Sequence, residues 1–89
     1  TYVGDLMDAY YGEMQVSVYI SGGYITAVNA LKHPGGNSNS QRINSRAIPI
    51  LKQEAIRAQS ADIDAVSGAS YSSPAFINSL ASALDQAKI

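Results

Sequence analysis

The stretch EMQVSVYISGGYITAV, residues 13–28, decides the fold of this chain. Its first half alternates apolar and more polar residues, and the apolar positions are Met14, Val16, Val18 and Ile20. This period of two is typical of a half-buried β-strand. The glycines of SGG, residues 21–23, readily adopt positive φ, and β-branched alternation then resumes through Ile25 and Val28. The stretch therefore predicts a β-hairpin.

The segments on either side of the hairpin have less regular patterns. TYVGDLMDAYYG, residues 1–12, is rich in tyrosine and predicts a further strand with bends at Gly4 and Gly12. HPGGNSNSQ, residues 33–41, contains turn residues and polar residues with nothing to bury. It predicts an exposed, mobile loop, which serves either as a connector or as a lid over a binding site.

Helical spacing begins after that loop. We predict a first helix over about residues 45–59, with Asn44 or Ser45 as its N-cap and Pro49 in the first turn or just past it. Its predicted buried face consists of Ile48, Leu51, Ala55 and Ala58. The segment ADIDAV, residues 61–66, is too short for a helix and predicts a brief strand or an extended arm.

A second helix is predicted over about residues 74–88. Ser72 or Ser73 is the expected N-cap, and Pro74 is the expected first helical residue, where its missing N–H costs least. Its apolar stripe consists of Ile77, Leu80, Ala81 and Leu84. The order of elements predicts the α+β class, with two helices packed on a small antiparallel sheet.

Length and composition restrict the function classes. The 89 residues predict a single domain over residues 1–89, and 46% hydrophobic with 15% charged residues is ordinary for a soluble protein. A net charge of −1 argues against nucleic acid as a partner. The sequence contains no cysteine, which excludes disulfides and cysteine metal sites.

The segment DAVSGASYSSPAF, residues 64–76, carries most of the candidate chemistry. It lies before a predicted helix N-terminus, whose free N–H groups and positive dipole end favour a phosphate. Gly68 and Ala69 are small enough to let an anion approach the backbone closely. A phosphate cradle and a simple helix cap both remain open on these grounds. A hydrolase nucleophile is disfavoured, because GASYS at residues 68–72 lacks the second glycine of G-x-S-x-G.

DAVSGASYSS, residues 64–73, resembles the flavin attachment signature of the FMN-binding domain family. The resemblance extends to the hairpin sequence VSVYISGGYITAV, to EAIRAQSADIDAVSGAS and to SPAFINSLASAL, so it spans nearly the whole chain. It implies FMN as cofactor, with Ser70 at the position of the hydroxyl that forms a phosphoester with FMN. Threonine is usual at that position, so the resemblance also leaves non-covalent FMN binding open.

The resemblance implies further site residues. The positions that match the rest of the signature are Asp64, Ser67, Gly68, Ala69 and Ser72. We expect Ser67 and Ser72 to lie on the phosphate side or to brace the loop. Tyr71 and the loop at Pro34 are candidates for a shelf under the flavin ring. Asn44 and Arg46 are expected to reach polar edges of the flavin, unless Asn44 only caps the first helix.

The implied function is a flavin-carrying electron-transfer module rather than an enzyme with its own substrate. Its expected partners are a magnesium-dependent flavin transferase that uses FAD as donor, and a redox protein of unknown identity. The resemblance also implies an extracytoplasmic location, with any membrane association through segments outside this sequence. A flavin-free interaction domain that keeps the fold is the alternative.

Overall fold

A computed structural model describes residues 1–10, 12–35 and 38–88. The elements are β1 (Tyr2–Val3), β2 (Met7–Asp8), β3 (Glu13–Ser21), β4 (Tyr24–Lys32), α1 (Ser38–Ala58) and α2 (Ser72–Ala87). The four strands form a small antiparallel sheet, and both helices pack on it. The predicted α+β architecture is confirmed.

The predicted hairpin is formed by β3 and β4. These strands are antiparallel, with Val18 opposite Val28 and Ser21 opposite Tyr24. The two-residue turn is formed by the glycines at positions 22 and 23, whose φ values are 61° and 84°. Positive φ at both positions gives the turn a twist that matches the right-handed twist of the strands.

The predicted N-terminal strand is present as the two short strands β1 and β2. Both run antiparallel to β3, β1 with Tyr2 opposite Val18 and β2 with Met7 opposite Met14. The backbone N–H of Gly4 donates to the carbonyl oxygen of Val16 at 2.8 Å and continues the pairing between them.

The core lies between the sheet and the two helices. Helix α2 packs mainly on β3, helix α1 packs on β4, and the helices contact each other. The largest fully buried side chains are Phe76, Met14, Ile25, Leu51 and Leu80. No helix within the described ranges is long and apolar enough to cross a membrane.

Two polar side chains connect the helices to the sheet. Ser79, fully buried on α2, accepts a hydrogen bond from the backbone N–H of Val16 at 2.8 Å and donates to the carbonyl oxygen of Asp5 at 2.8 Å. Gln59, just after α1, accepts from the backbone N–H of Ile25 at 2.8 Å and donates to its carbonyl oxygen at 3.0 Å. The Gln59 amide thus pairs with the outer side of β4 as a neighbouring strand would.

Helix α1 begins at Ser38, seven residues before the predicted start, so the predicted loop over 33–41 is wrong for residues 38–41. Residues 36 and 37 of that loop lie outside the described residues. Asn44 and Ser45 are inside the helix, so neither is its N-cap. Pro49 also lies inside the helix, where it removes the N–H that would bond the carbonyl of Ser45. Both residues are exposed, so water can hydrate that carbonyl.

Helix α2 begins at Ser72, and Tyr71 occupies the N-cap position without a side-chain capping bond. The predicted serine N-cap is therefore wrong, because Ser72 and Ser73 are both helical and buried. Pro74 is the third helical residue, still in the first turn. The segment 61–66 forms no strand, so the first of its two predicted forms is wrong, and it bends at its start, where the backbone N–H of Ile63 donates to the carbonyl oxygen of Ala61 at 3.0 Å.

Candidate functional site

A tight turn over residues 66–69 precedes α2. The backbone N–H of Ala69 donates to the carbonyl oxygen of Val66 at 3.0 Å, and Gly68, the third residue of the turn, has a φ of 85°. Positive φ at that position is typical of a type II turn and favours glycine. A Cβ at Gly68 would also lie 3.0 Å from Nη2 of Arg46, and that nitrogen donates to the carbonyl oxygen of Ser67. Helix α1 therefore holds the turn from one side.

Helix α2 holds the same turn from the other side. The Ser73 hydroxyl accepts from the backbone N–H of Val66 at 3.0 Å, and the Ser73 N–H donates to the carbonyl oxygen of Ala69 at 3.0 Å. These bonds fix the segment between the turn and the helix. Ser70 lies in this segment, and its side chain is exposed.

The hydrogen-bonding groups of Ser70 are uncommitted. Within the described part of the chain, its hydroxyl makes no hydrogen bond, and the backbone N–H groups of Ser70 and Ser72 donate to no other residue. The site therefore offers one exposed hydroxyl beside two available N–H donors at the start of a helix.

A cavity of about 530 Å³ lies beside this segment. Its lining residues come from the N-terminal region, the loop before α1, the first two turns of α1 and the start of α2; they are Ala9, Pro34, Ser38, Asn39, Ser40, Ile43, Asn44, Gly68, Ala69, Ser70, Tyr71 and Ser72. This volume is within the range of small-molecule sites, about 300–1,000 Å³. Each lining residue is uncharged.

The structure brings most of the predicted site residues together. Six of them line the cavity: Asn44, Gly68, Ala69, Ser70, Tyr71 and Ser72. Ser67 does not line it, but its carbonyl oxygen is held by Arg46, which itself lies outside the lining. Asp64 is exposed on the arm and does not line the cavity. Pro34, predicted as part of a shelf, is buried and lines the cavity.

Sequence reasoning missed Tyr10. Its ring stacks on that of Tyr71, with ring centroids 4.8 Å apart and an angle of 18° between the planes. Tyr10 has a φ of 71°, uncommon for a bulky residue, and its N–H donates to Oδ1 of Asp8 at 2.9 Å. The stacked pair extends the aromatic surface at the edge of the cavity. No spacing rule in the sequence connects residues so far apart.

Sequence reasoning also missed the polar first turns of α1. The buried face of this helix consists of Ser40, Asn44, Ala47, Leu51 and Ala55, at steps of three or four residues. Its apolar half packs in the core, and its polar half lines the cavity. Steps of three or four residues, counted from Leu51 towards the N-terminus, would have predicted that Asn44 and Ser40 lie on the buried face of the helix.

The lining residues fit FMN. Asn44 lines the cavity, and its Oδ1 is buried without a hydrogen-bond partner among the described residues, so it is an acceptor that a ligand donor could satisfy. The serine hydroxyls and free N–H groups at the start of α2 suit a phosphate. Tyr71, Pro34 and Ile43 offer apolar and aromatic surface for a planar ring.

Comparison with known proteins agrees with this geometry. Residues 9–85 match the model of the FMN-binding domain, and this range includes every residue that lines the cavity. The chain belongs to the FMN-binding domain family, and FMN is its cofactor. No curated protein matches the chain.

Proposed function

We propose that this chain is an electron-transfer module that carries FMN through a phosphoester to Ser70. The observation that carries the proposal is the Ser70 hydroxyl, which is exposed, lines the cavity and is uncommitted within the described residues. Bound FMN supplies reversible electron transfer, and the protein holds and orients it.

The attachment step balances with FAD as the flavin donor. The Ser70 oxygen attacks the phosphorus on the flavin side of the FAD pyrophosphate, and the hydroxyl proton is released. A new bond joins that oxygen to phosphorus, the bond between the phosphorus and the bridging oxygen breaks, and AMP leaves. A magnesium-dependent flavin transferase, as the family resemblance implies, would catalyse this step, and the described lining residues of the cavity are all uncharged.

The phosphate would lie at the N-terminus of α2. The available N–H groups of Ser70 and Ser72 and the positive end of the helix dipole favour an anion there. Gly68 keeps a side chain out of this region, and Arg46 lies against the same turn with its positive charge. This arrangement supports phosphate binding without a basic side chain in the lining.

The flavin ring would lie against the apolar and aromatic lining. Pro34 is buried, Ile43 is half-buried, and Tyr71 is exposed at the edge beside Tyr10. A ring between these residues would be enclosed on one side and open to solvent near the tyrosines. An exposed ring edge allows electrons to pass to a partner protein.

We also propose an extracytoplasmic location, a separate redox partner and membrane association through other segments. These proposals follow from membership of the family alone. Fractionation of the natural host, followed by crosslinking to the loaded domain, tests them together.

The mass of the denatured protein tests the proposal for Ser70. The domain is expressed with and without a flavin transferase, and we expect a gain of one esterified FMN only with the transferase. The gain should be absent in Ser70→Ala and retained in Ser70→Thr. Ser67→Ala is the matched control, since it removes a hydroxyl from the same turn and should keep the gain.

Other outcomes separate the alternatives. Flavin that copurifies with the native domain but leaves on denaturation indicates non-covalent binding and contradicts the ester. A folded domain that carries no flavin under either condition, and binds none when FMN is added, contradicts the carrier function and supports a flavin-free interaction domain.

A further inference from the structure

Asn44 is a buried carboxamide whose orientation is fixed. Its residue is 2% exposed, and its Nδ2 donates to the carbonyl oxygens of Pro34 at 2.8 Å and Ser40 at 2.9 Å. Both hydrogens of the amide are therefore used. Turning the amide over would place Oδ1 against two carbonyl oxygens, which only accept hydrogen bonds. Oδ1 therefore occupies the remaining side of the group.

That oxygen has no partner within the described residues, although the residue lines the cavity. Buried side-chain oxygens of this kind are rare, because leaving them without a donor costs as much as a lost hydrogen bond. The two hydrogen bonds of the Asn44 amide hold the start of α1, and an alanine at position 44 would not make them. A hydrogen-bond donor from a ligand in the cavity would give Oδ1 of Asn44 the partner that it lacks.

We infer that Asn44 Oδ1 accepts a hydrogen bond from the imide N3–H of the flavin ring; this inference rests on the proposed binding of FMN in this cavity. The oxidised isoalloxazine has a single ring N–H, at N3, and its other polar ring atoms are acceptors. With both amide hydrogens of Asn44 committed, N3–H is the one group of the oxidised ring that can pair with Oδ1. Asn44 would therefore distinguish a ring that carries the N3–H from a ring that lacks it.

The surroundings favour the ring over the ribityl chain as the donor. Asn44 lies on α1, next to Pro34 and one residue after Ile43, whereas the hydroxyl and N–H groups suited to phosphate lie at the start of α2. The ribityl hydroxyls adjoin the phosphate and can turn towards water. The rigid imide cannot, so a fixed and buried acceptor discriminates between rings with and without this donor.

Binding of 3-methyl-FMN, which lacks the N3–H, tests the inference in the flavin-free domain. We expect the wild-type domain to bind FMN about 10- to 100-fold more tightly than 3-methyl-FMN, the range that an unsatisfied buried acceptor produces. Asn44→Leu should bind both flavins with similar affinity. Asn78→Leu is the matched control: Asn78 is exposed on α2 and does not line the cavity, so the preference for FMN should persist.

A second measurement uses the flavin-loaded domain and applies where free FMN binds too weakly to titrate. Acceptance by Oδ1 stabilises the protonated imide and disfavours its anion. The ring of the wild-type protein should therefore lose its N3 proton at higher pH than that of Asn44→Leu, as followed by absorbance. This readout depends on neither electron transfer nor turnover.

The outcomes are distinct. Equal binding of FMN and 3-methyl-FMN by the wild-type domain, or identical alkaline titrations of the loaded wild type and a folded Asn44→Leu, overturns the inference and leaves the flavin carrier intact. A folded domain that neither binds free FMN nor becomes loaded overturns the proposed function, and the inference with it.

Discussion

The serines of the interior and the serine of the cavity edge have opposite surroundings. Ser79 and Ser73 are fully buried, and the hydroxyl of each is bonded to backbone groups of another segment. Ser70 is exposed, and its hydroxyl has no partner in the described part of the chain. The buried serines stabilise the fold, whereas Ser70 carries the proposed attachment oxygen. Substitutions in the two regions should therefore separate stability from flavin loading.

The largest expected loss of stability is at Phe76. This ring is fully buried in the core between the sheet and the helices, so Phe76→Ala should lower the free energy of unfolding by about 3–5 kcal/mol. Urea denaturation followed by circular dichroism measures it. Ile77→Ala, at the half-buried next position of α2, should cost clearly less. Equal losses would contradict the described packing of α2.

Ser79→Ala should have the next largest effect. It leaves the buried N–H of Val16 without an acceptor, which costs about 1–3 kcal/mol of unfolding free energy. Ser82→Ala is a matched control on the same helix, because within the described ranges Ser82 accepts only from the exposed N–H of Asp5. The same denaturation experiment should show a change within about 0.5 kcal/mol for Ser82→Ala. Flavin loading should survive in both variants.

Gly68→Ala should affect both the stability of the fold and the loading of flavin. Its positive φ costs a side chain about 1–2 kcal/mol, and the new Cβ would press on the guanidinium of Arg46. We expect reduced flavin loading together with a modest loss of stability. Gly22→Ala also forces a side chain into positive φ, but its Cβ would meet nothing within 4 Å. The Gly22→Ala variant should therefore lose stability but load flavin normally. Equal loading defects in Gly22→Ala and Gly68→Ala would refute a special role for the turn over residues 66–69.

Local patterns were sufficient to predict much of the fold. Met14 and Val16 are buried and alternate with the exposed Glu13 and the half-buried Gln15, and two consecutive glycines allow the tight turn. The closing helix also follows from its apolar spacing. These features depend on residues close in sequence, so propensity and periodicity predict them.

The beginning of α1 could not be predicted from local patterns, because it depends on long-range bonds. Gln41 donates to the carbonyl oxygen of Gly35 at 2.9 Å, and Asn44 donates to that of Pro34. These contacts hold a serine- and asparagine-rich segment in a helix despite its low helix propensity. Likewise, Ser73 bonds Val66 instead of capping α2. Six predicted site residues line one cavity. Tyr10 could not be predicted with them, because the fold alone brings its ring against that of Tyr71.

The smallest expected change in stability accompanies the largest expected change in function. Ser70→Ala removes an exposed hydroxyl without a partner among the described residues, so the free energy of unfolding should change by less than about 0.5 kcal/mol. Loading with FMN should nevertheless be lost completely. A variant that is strongly destabilised would contradict the described surroundings of Ser70.

Peptide mapping of the loaded domain by tandem mass spectrometry tests the central claim most directly. Residues 64–76 contain four serines, at positions 67, 70, 72 and 73. We expect FMN on Ser70 alone. The Ser73 hydroxyl is buried and accepts a hydrogen bond from Val66, and Ser67 does not line the cavity. FMN on any other residue, or a loaded protein with no esterified peptide, would contradict the assignment of Ser70 as the attachment site.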